Sequence, residues 1–105
     1  MVKPIAEQGD ILSLTESSLC VLVLSKDFFN QTGLAVVCPV VRQAPEDALH
    51  IPVATDSFSG TALCEQLKTL DLNKRYFKKL ASLSFSQIQE ITDAVQSIFD
   101  YFPFG

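Results

Sequence analysis

Five of the eight basic residues in this 105-residue chain, Lys68, Lys74, Arg75, Lys78 and Lys79, fall within one short stretch. The net charge is −4, so the stretch is a local cationic patch on an acidic protein. Such a patch can bind a phosphate backbone or an acidic peptide. Composition alone favours a plainer reading, a solvated face that keeps an outer strand from pairing with other chains. The single histidine, His50, has an ordinary pKa suited to proton transfer, but in isolation it reads as a polar residue at a strand edge. Cys20, Cys38 and Cys64 are odd in number, lack a Cys-x-x-Cys spacing and each sit in an apolar pattern. They read as small buried hydrophobes, with no disulfide framework and no metal site. There is no Gly-rich phosphate loop and no Ser-His-Asp order. No cofactor is expected.

Positioning these groups requires a core. At this length the chain is expected to be one domain over residues 1–105, and 48% apolar content suffices to bury a core without staples. No apolar run approaches the ~20 residues of a membrane span. No apolar segment follows Lys3, so no signal peptide is expected and a cytoplasmic location follows.

Short apolar segments punctuated by turns dominate the order of elements. Ile11–Leu14 reads as a strand and Glu16-Ser17-Ser18 as a turn. Leu19–Leu24 reads as a buried central strand. Ser25-Lys26-Asp27 then caps a helical turn at Phe28-Phe29-Asn30, ended by Gly33. Leu34–Val41 is a second buried strand, in which Pro39 marks an edge or a bulge. Loops at Gln43–Leu49 and Thr55–Gly60 flank a strand at His50–Ala54. Thr61–Leu70 is mixed, and Tyr76–Leu80 is a further strand. The pattern predicts an α+β fold: a small SH3-like antiparallel β-barrel, a helical turn after strand 2, and a C-terminal helix. In that helix Ser84 and Gln87 form a capping box, and Leu83 and Ile88 a hydrophobic staple. Ile88, Ile91, Val95, Ile98, Phe99 and Phe102 make an apolar stripe to pack across the barrel, and Pro103 stops the helix.

The order and wording of these segments resemble the PemK/MazF family of toxins. The carriers are Gly9-Asp10-Ile11, then Leu22-Val23-Leu24-Ser25, Phe29-Asn30, Thr32-Gly33-Leu34 and Cys38-Pro39-Val40. Further on come Glu65-Gln66-Leu67-Lys68-Thr69-Leu70-Asp71 with Lys74-Arg75, and the capped terminal helix. The resemblance runs from Gly9 to about Phe99. It implies a dimeric, metal-independent endoribonuclease, ribosome-dependent or independent, that cuts messenger RNA and is silenced by a cognate antitoxin.

The chain departs from the family where catalysis is expected. The loop between the first two strands shrinks to Glu16-Ser17-Ser18, with Leu19-Cys20 where the family has Arg-Pro. Val41 stands where the family has Thr or Ser. Metal-free cleavage needs a base for the ribose 2′-hydroxyl, an acid for the leaving oxygen and cationic donors for the phosphate. The replacements at hand are Arg42 beside Val41, Glu65 as a base, and Lys68 with Thr69 as phosphate holders. His50 is a further acid–base group, though the strand-edge reading is preferred for it. Arg42 as a loop charge and Glu65 as a barrel hydrogen-bond partner are equal alternatives.

Three functions stay open: a toxin that cleaves single-stranded RNA with a rearranged site, a toxin that binds a protein, and a non-catalytic member that binds only its antitoxin. The ending, Ser97 to Gly105, is similar to the aromatic–glycine terminus of CcdB toxins, which poison DNA gyrase; Phe102 and Phe104 would be its anchors. The resemblance also implies a homodimer and an acidic antitoxin tail. Lys68, Thr69, Lys74, Arg75, Lys78 and Lys79 are the expected RNA or antitoxin contacts.

Overall fold

The computed structural model describes residues 5–99. Seven strands, two short or single-turn helices and one longer helix follow one another: β1 (Asp10–Leu14), β2 (Leu19–Val23), α1 (Asp27–Asn30), β3 (Leu34–Val41), β4 (His50–Ala54), β5 (Ser59–Leu63), β6 (Lys68–Asp71), a 3-10 turn (Leu72–Lys74), β7 (Phe77–Ser82) and α2 (Phe85–Ser97). All ladders are antiparallel, in the order β4-β5-β3-β2-β1-β7, with β6 also on β3. The sheet curls into a half-barrel carrying α2, which is the expected α+β architecture.

Period-two alternation sends neighbouring residues to different cores. Ile11, Leu22, Cys38, Val40, Ile51, Val53, Ala62 and Cys64 join Leu83 and Ile91 in one. Leu12, Leu14, Val21, Val23, Ala35, Val37 and Leu70 join Ala6 and Leu72 in the other. Strands β1 to β3 are therefore apolar on both faces, which is why Leu19–Leu24 is an unbroken apolar run.

Strands β5 and β6 are one path along β3, interrupted by a bulge. Val40 pairs with Ala62, and Val37 pairs with Lys68. Between these pairs two residues of β3 thus face five on the other side, and the surplus is taken up around Glu65-Gln66-Leu67. A bulge of this sort re-aims side chains. Pro39 sits opposite this handover. Its register with Val21 is unbroken, so it is neither at an edge nor in a bulge of its own strand. The Leu24 N–H donates to the Val36 carbonyl at 2.8 Å, so even-numbered residues of β3 address β2. Pro39 therefore faces the interruption, where no ladder asks for an N–H.

Other boundaries shift with pairing. The strand expected at Tyr76–Leu80 runs Phe77–Ser82, because β1 pairs it as far as Asp10 with Ser82. Ser59 and Gly60 belong to β5 and pair with Ala54 and Val53, which shortens the expected loop to a four-residue hairpin turn closed by Thr55 N–H on the Phe58 carbonyl at 2.7 Å.

Helix α2 starts where expected. The Ser84 hydroxyl accepts the Gln87 N–H at 3.4 Å. The reciprocal arm of the capping box is absent, because the Gln87 amide bonds both backbone groups of Ala54 instead. Ile91 is fully buried, which is worth about 2–3 kcal/mol, and Ile88 and Val95 pack against the same core. Ile98 and Phe99 are exposed, so the stripe seals the half-barrel only through its first turns. The expectations on Phe102, Pro103 and Phe104 lie outside the described residues.

Candidate functional site

The motif residues that carry the family resemblance mostly build the scaffold. Asp10 is buried, and its carboxylate accepts the Glu7 N–H at 2.9 Å and the Ser82 hydroxyl at 2.8 Å. The Asn30 amide donates to the carbonyls of Ala6 at 3.0 Å and Ser25 at 2.9 Å and accepts the Ser25 hydroxyl. That hydroxyl oxygen in turn accepts the Val36 N–H at 2.9 Å. Together they stitch the residues before β1 to the β2–β3 crossover. Gly33 has φ +93°, and a β-carbon there would meet Asn73 Nδ2 at 1.9 Å.

With the scaffold fixed, the positions that depart from the family converge on a ridge. Leu19 opens β2 just after Ser18, whose φ of 56° closes the short turn. On one side of Leu19 lies a groove of about 540 Å³ lined by Ser18, Cys20, Val40, Val41, Arg42, Phe58 and Ser59. On the other side Leu19 lines a cavity of about 230 Å³, with Ser17, Lys68 and Arg75 above a floor of Leu14, Val21, Val37, Pro39 and Leu70. The cation missing at Leu19 is flanked by Arg42 on one side and by Lys68 and Arg75 on the other. Phe58, Ser18 and Ser59 were not anticipated as site residues. An aromatic inside the Ser- and Asp-rich loop at 55–60 was the one available signal.

Arg42 and Glu65 are not brought together. Arg42 follows the end of β3, level with the start of β5, and Glu65 follows the end of β5, roughly 15 Å of extended chain away. Glu65 pairs with His50 instead, Oε1 to Nε2 at 2.7 Å. The other ring nitrogen of His50 faces the Pro45 carbonyl at 2.9 Å. A carbonyl can only accept, so Nδ1 carries a hydrogen, and the Glu65 carboxylate favours a second on Nε2. The Glu65 hydrogen bond accordingly raises the His50 pKa, helped by Pro45 and the charge of Asp47. The same bond holds Glu65 below the usual carboxylate range. Asp47 is lowered too, chiefly by the Leu49 N–H, with the His50 N–H also bonded to Oδ1. The three side chains pin the 43–49 loop against the β5–β6 bulge.

The basic stretch is divided by strand geometry. Lys68 and Thr69 are adjacent in β6 and project to opposite faces, so they do not form one phosphate cradle. Lys78 and Lys79 are likewise adjacent in β7. Lys79 lies 3.0 Å from the buried Asp10 carboxylate and 3.9 Å from Glu7, so its charge is neutralised within the fold. Lys74 ends the 3-10 turn. Of the five, Lys68 and Arg75 converge on one cavity.

Comparison with known proteins places this geometry. The MazE–MazF complex of Deinococcus radiodurans contains a chain of like fold at TM-score 0.84 and 24% identity, covering 92% of this chain and 98% of that one. An endoribonuclease from a mycobacterial species superposes with TM-score 0.81 at 13% identity, covering 98% and 100%. The Mycobacterium tuberculosis toxin MazF-mt6 gives TM-score 0.71 at 16% identity, covering 90% and 98%. At these identities the likeness is one of fold. No curated protein sequence matches the chain. A family model described as "PemK-like, MazF-like toxin of type II toxin-antitoxin system" matches residues 14–99. With that match spanning most of its length, the chain belongs to the PemK/MazF toxins of type II toxin–antitoxin systems.

Proposed function

We propose that this toxin is a metal-independent endoribonuclease that takes single-stranded RNA across the Leu19 ridge. The observation that carries the reading is the pair of cavities sharing Leu19, one rimmed by Arg42 and the other by Lys68 and Arg75. A base stacks on Phe58, and the adjoining phosphate meets the Arg42 guanidinium, whose charge is permanent and whose fork fits phosphate. Lys68 and Arg75 hold the strand beyond the ridge. In the cleavage step the ribose 2′-oxygen attacks phosphorus and the bond to the 5′-oxygen breaks, leaving a 2′,3′-cyclic phosphate and a 5′-hydroxyl. Arg42, with the hydroxyls of Ser18 and Ser59, stabilises the crowded phosphate. Among the described residues the groove lining holds no carboxylate or imidazole, and in this reading water takes the 2′-proton and supplies the one gained by the leaving oxygen.

The antitoxin is expected to compete for the same surface. An acidic segment with one apolar side chain suits the Lys68–Arg75 rim and the apolar floor beneath it. We further propose that the toxin acts as a single-domain homodimer in the cytoplasm.

The test is cleavage of a long single-stranded RNA by purified protein in the presence of a chelator. Arg42→Ala is expected to lower the rate by about a hundredfold or more, and Glu65→Gln to leave it nearly unchanged. The wild-type rate should climb steadily with pH, without an inflection from a protein base. Equal rates for wild type and Arg42→Ala would reject the site. Absence of cleavage, with RNA binding that still depends on Arg42, would reduce the protein to an RNA-binding toxin.

A further inference from the structure

Two thiols that the proposed reaction does not use face each other across β3 and the end of β5. The β3–β5 ladder runs from Val41 with Thr61 to Val40 with Ala62. Two residues further along each strand stand Cys38 and Cys64, both fully buried in the same core. Their backbones show which kind of pair they make. Cys38 addresses β2, in register with Leu22. The Cys64 N–H points the opposite way and donates to the Leu49 carbonyl at 2.8 Å. Continuing the register past Val40 and Ala62 sets Cys38 opposite Cys64 with their backbone groups turned away from each other, the arrangement of a non-hydrogen-bonded antiparallel pair. In such pairs the α-carbons stand only about 4.5 Å apart, inside the span of about 4.4–6.8 Å that a disulfide bridges. Each thiol shifts the ionisation of the other, and the Cys64 thiol donates to the Ala62 carbonyl at 3.9 Å.

We propose that Cys38 and Cys64 are an oxidation site, closing an intramolecular cross-strand disulfide under a peroxide or a small disulfide oxidant. The pairing sets the roles. The neighbouring Cys64 and burial push the Cys38 thiol up. The same neighbour draws Cys64 below the ordinary thiol range, so the Cys64 sulfur attacks first. With hydrogen peroxide, the Cys64 thiolate takes an oxygen to become a sulfenic acid and releases hydroxide. Cys38 gives its proton to that hydroxide and its sulfur displaces the second oxygen, which leaves as hydroxide and takes up the proton Cys64 lost on ionising. Overall, two thiols and one peroxide become one disulfide and two waters. The bond ties β3 to the start of the bulge that carries Glu65. Cys20, half-buried on β2, is left out.

Thiol–disulfide equilibrium in glutathione buffers tests this without reference to RNA. The Cys20→Ser protein is equilibrated from both the reduced and the oxidised side, natively and in concentrated urea, then acid-quenched and alkylated. Mass spectrometry counts the protein lighter by two hydrogens and locates the linked peptides. The native fold is expected to favour the Cys38–Cys64 bond over the unfolded chain by about tenfold or more. A native equilibrium constant at or below the urea value would overturn the proposal. So would failure of the urea-oxidised protein to regain the native circular dichroism spectrum.

Discussion

Gln87 in α2 grips Ala54 at the end of the outermost strand by both ends of its amide, accepting the Ala54 N–H at 3.2 Å and donating to the Ala54 carbonyl at 2.9 Å. The side chain imitates the next strand of a sheet and occupies backbone groups at an otherwise open edge. Gln87→Ala should lower stability by about 1 kcal/mol in urea unfolding. Gln87→Glu should lower it at least as much at neutral pH, because a carboxylate cannot donate to the carbonyl. Faster hydrogen exchange at Ala54 is the local readout, and an unchanged Ala54 rate in Gln87→Ala would refute the clasp.

The His50–Glu65 pair makes part of the stability pH-dependent. His50 is raised above its ordinary 6.5, so its contribution is complete below that value and is lost as pH climbs through the raised pKa. Glu65 is lowered from 4.5, so its share is present above that value and is lost on acidification. The pair therefore contributes most between about pH 4.5 and 6.5. An NMR titration of the single imidazole should show a midpoint above 6.5, and Glu65→Gln should bring it down. A wild-type midpoint at or below 6.5 would contradict the pairing.

Removing Lys79 strands a buried charge. With Asp10 only 3% exposed, Lys79→Ala leaves its carboxylate with hydrogen bonds but no cation, and the expected loss is about 1–3 kcal/mol. Lys78→Ala, one residue away, should fall within about 0.5 kcal/mol of wild type. Thermal denaturation of the two variants side by side decides this, and equal losses would mean that the ion pair is idle.

Gly33 is held by two independent constraints. Its positive φ disfavours any side chain, and Asn73 fills the space where a β-carbon would go. Gly33→Ala should cost about 2 kcal/mol or more. Gly33→Ala with Asn73→Ala should recover the steric part only, leaving about 1 kcal/mol from the backbone. Full recovery in the double variant would show that crowding is the whole effect.

The strands, the Ser84 cap and the turn at Gly33 were legible because each rests on local chemistry: alternation, a hydroxyl before an apolar run, a residue free to take positive φ. The role of Pro39 was not. An edge and an interruption in the neighbouring strand both dispense with an N–H, and only pairing tells them apart. Gln87 fits a capping box by spacing, yet Ala54 lies 33 residues away and outcompetes the local acceptor. For the same reason the basic stretch read as one patch. Nothing local says that β6 and β7 turn alternate lysines to opposite faces, or that Asp10 claims Lys79. Arg42 was legible as a candidate from its place beside Val41. The ridge at Leu19 that gives it neighbours comes from the packing of β2 against distant segments.

Strand β1 finds one partner immediately and the other almost at the end of the chain: Asp10 and Ser82 touch across 72 residues. During synthesis the β1–β3 meander can pair early, but the ladder that covers Asp10 waits for Phe77–Ser82, and the helix that seals the core comes later still. Long-range closure of this kind is slow. The half-barrel therefore cannot close until Phe77–Ser82 has been made, however early the first three strands pair.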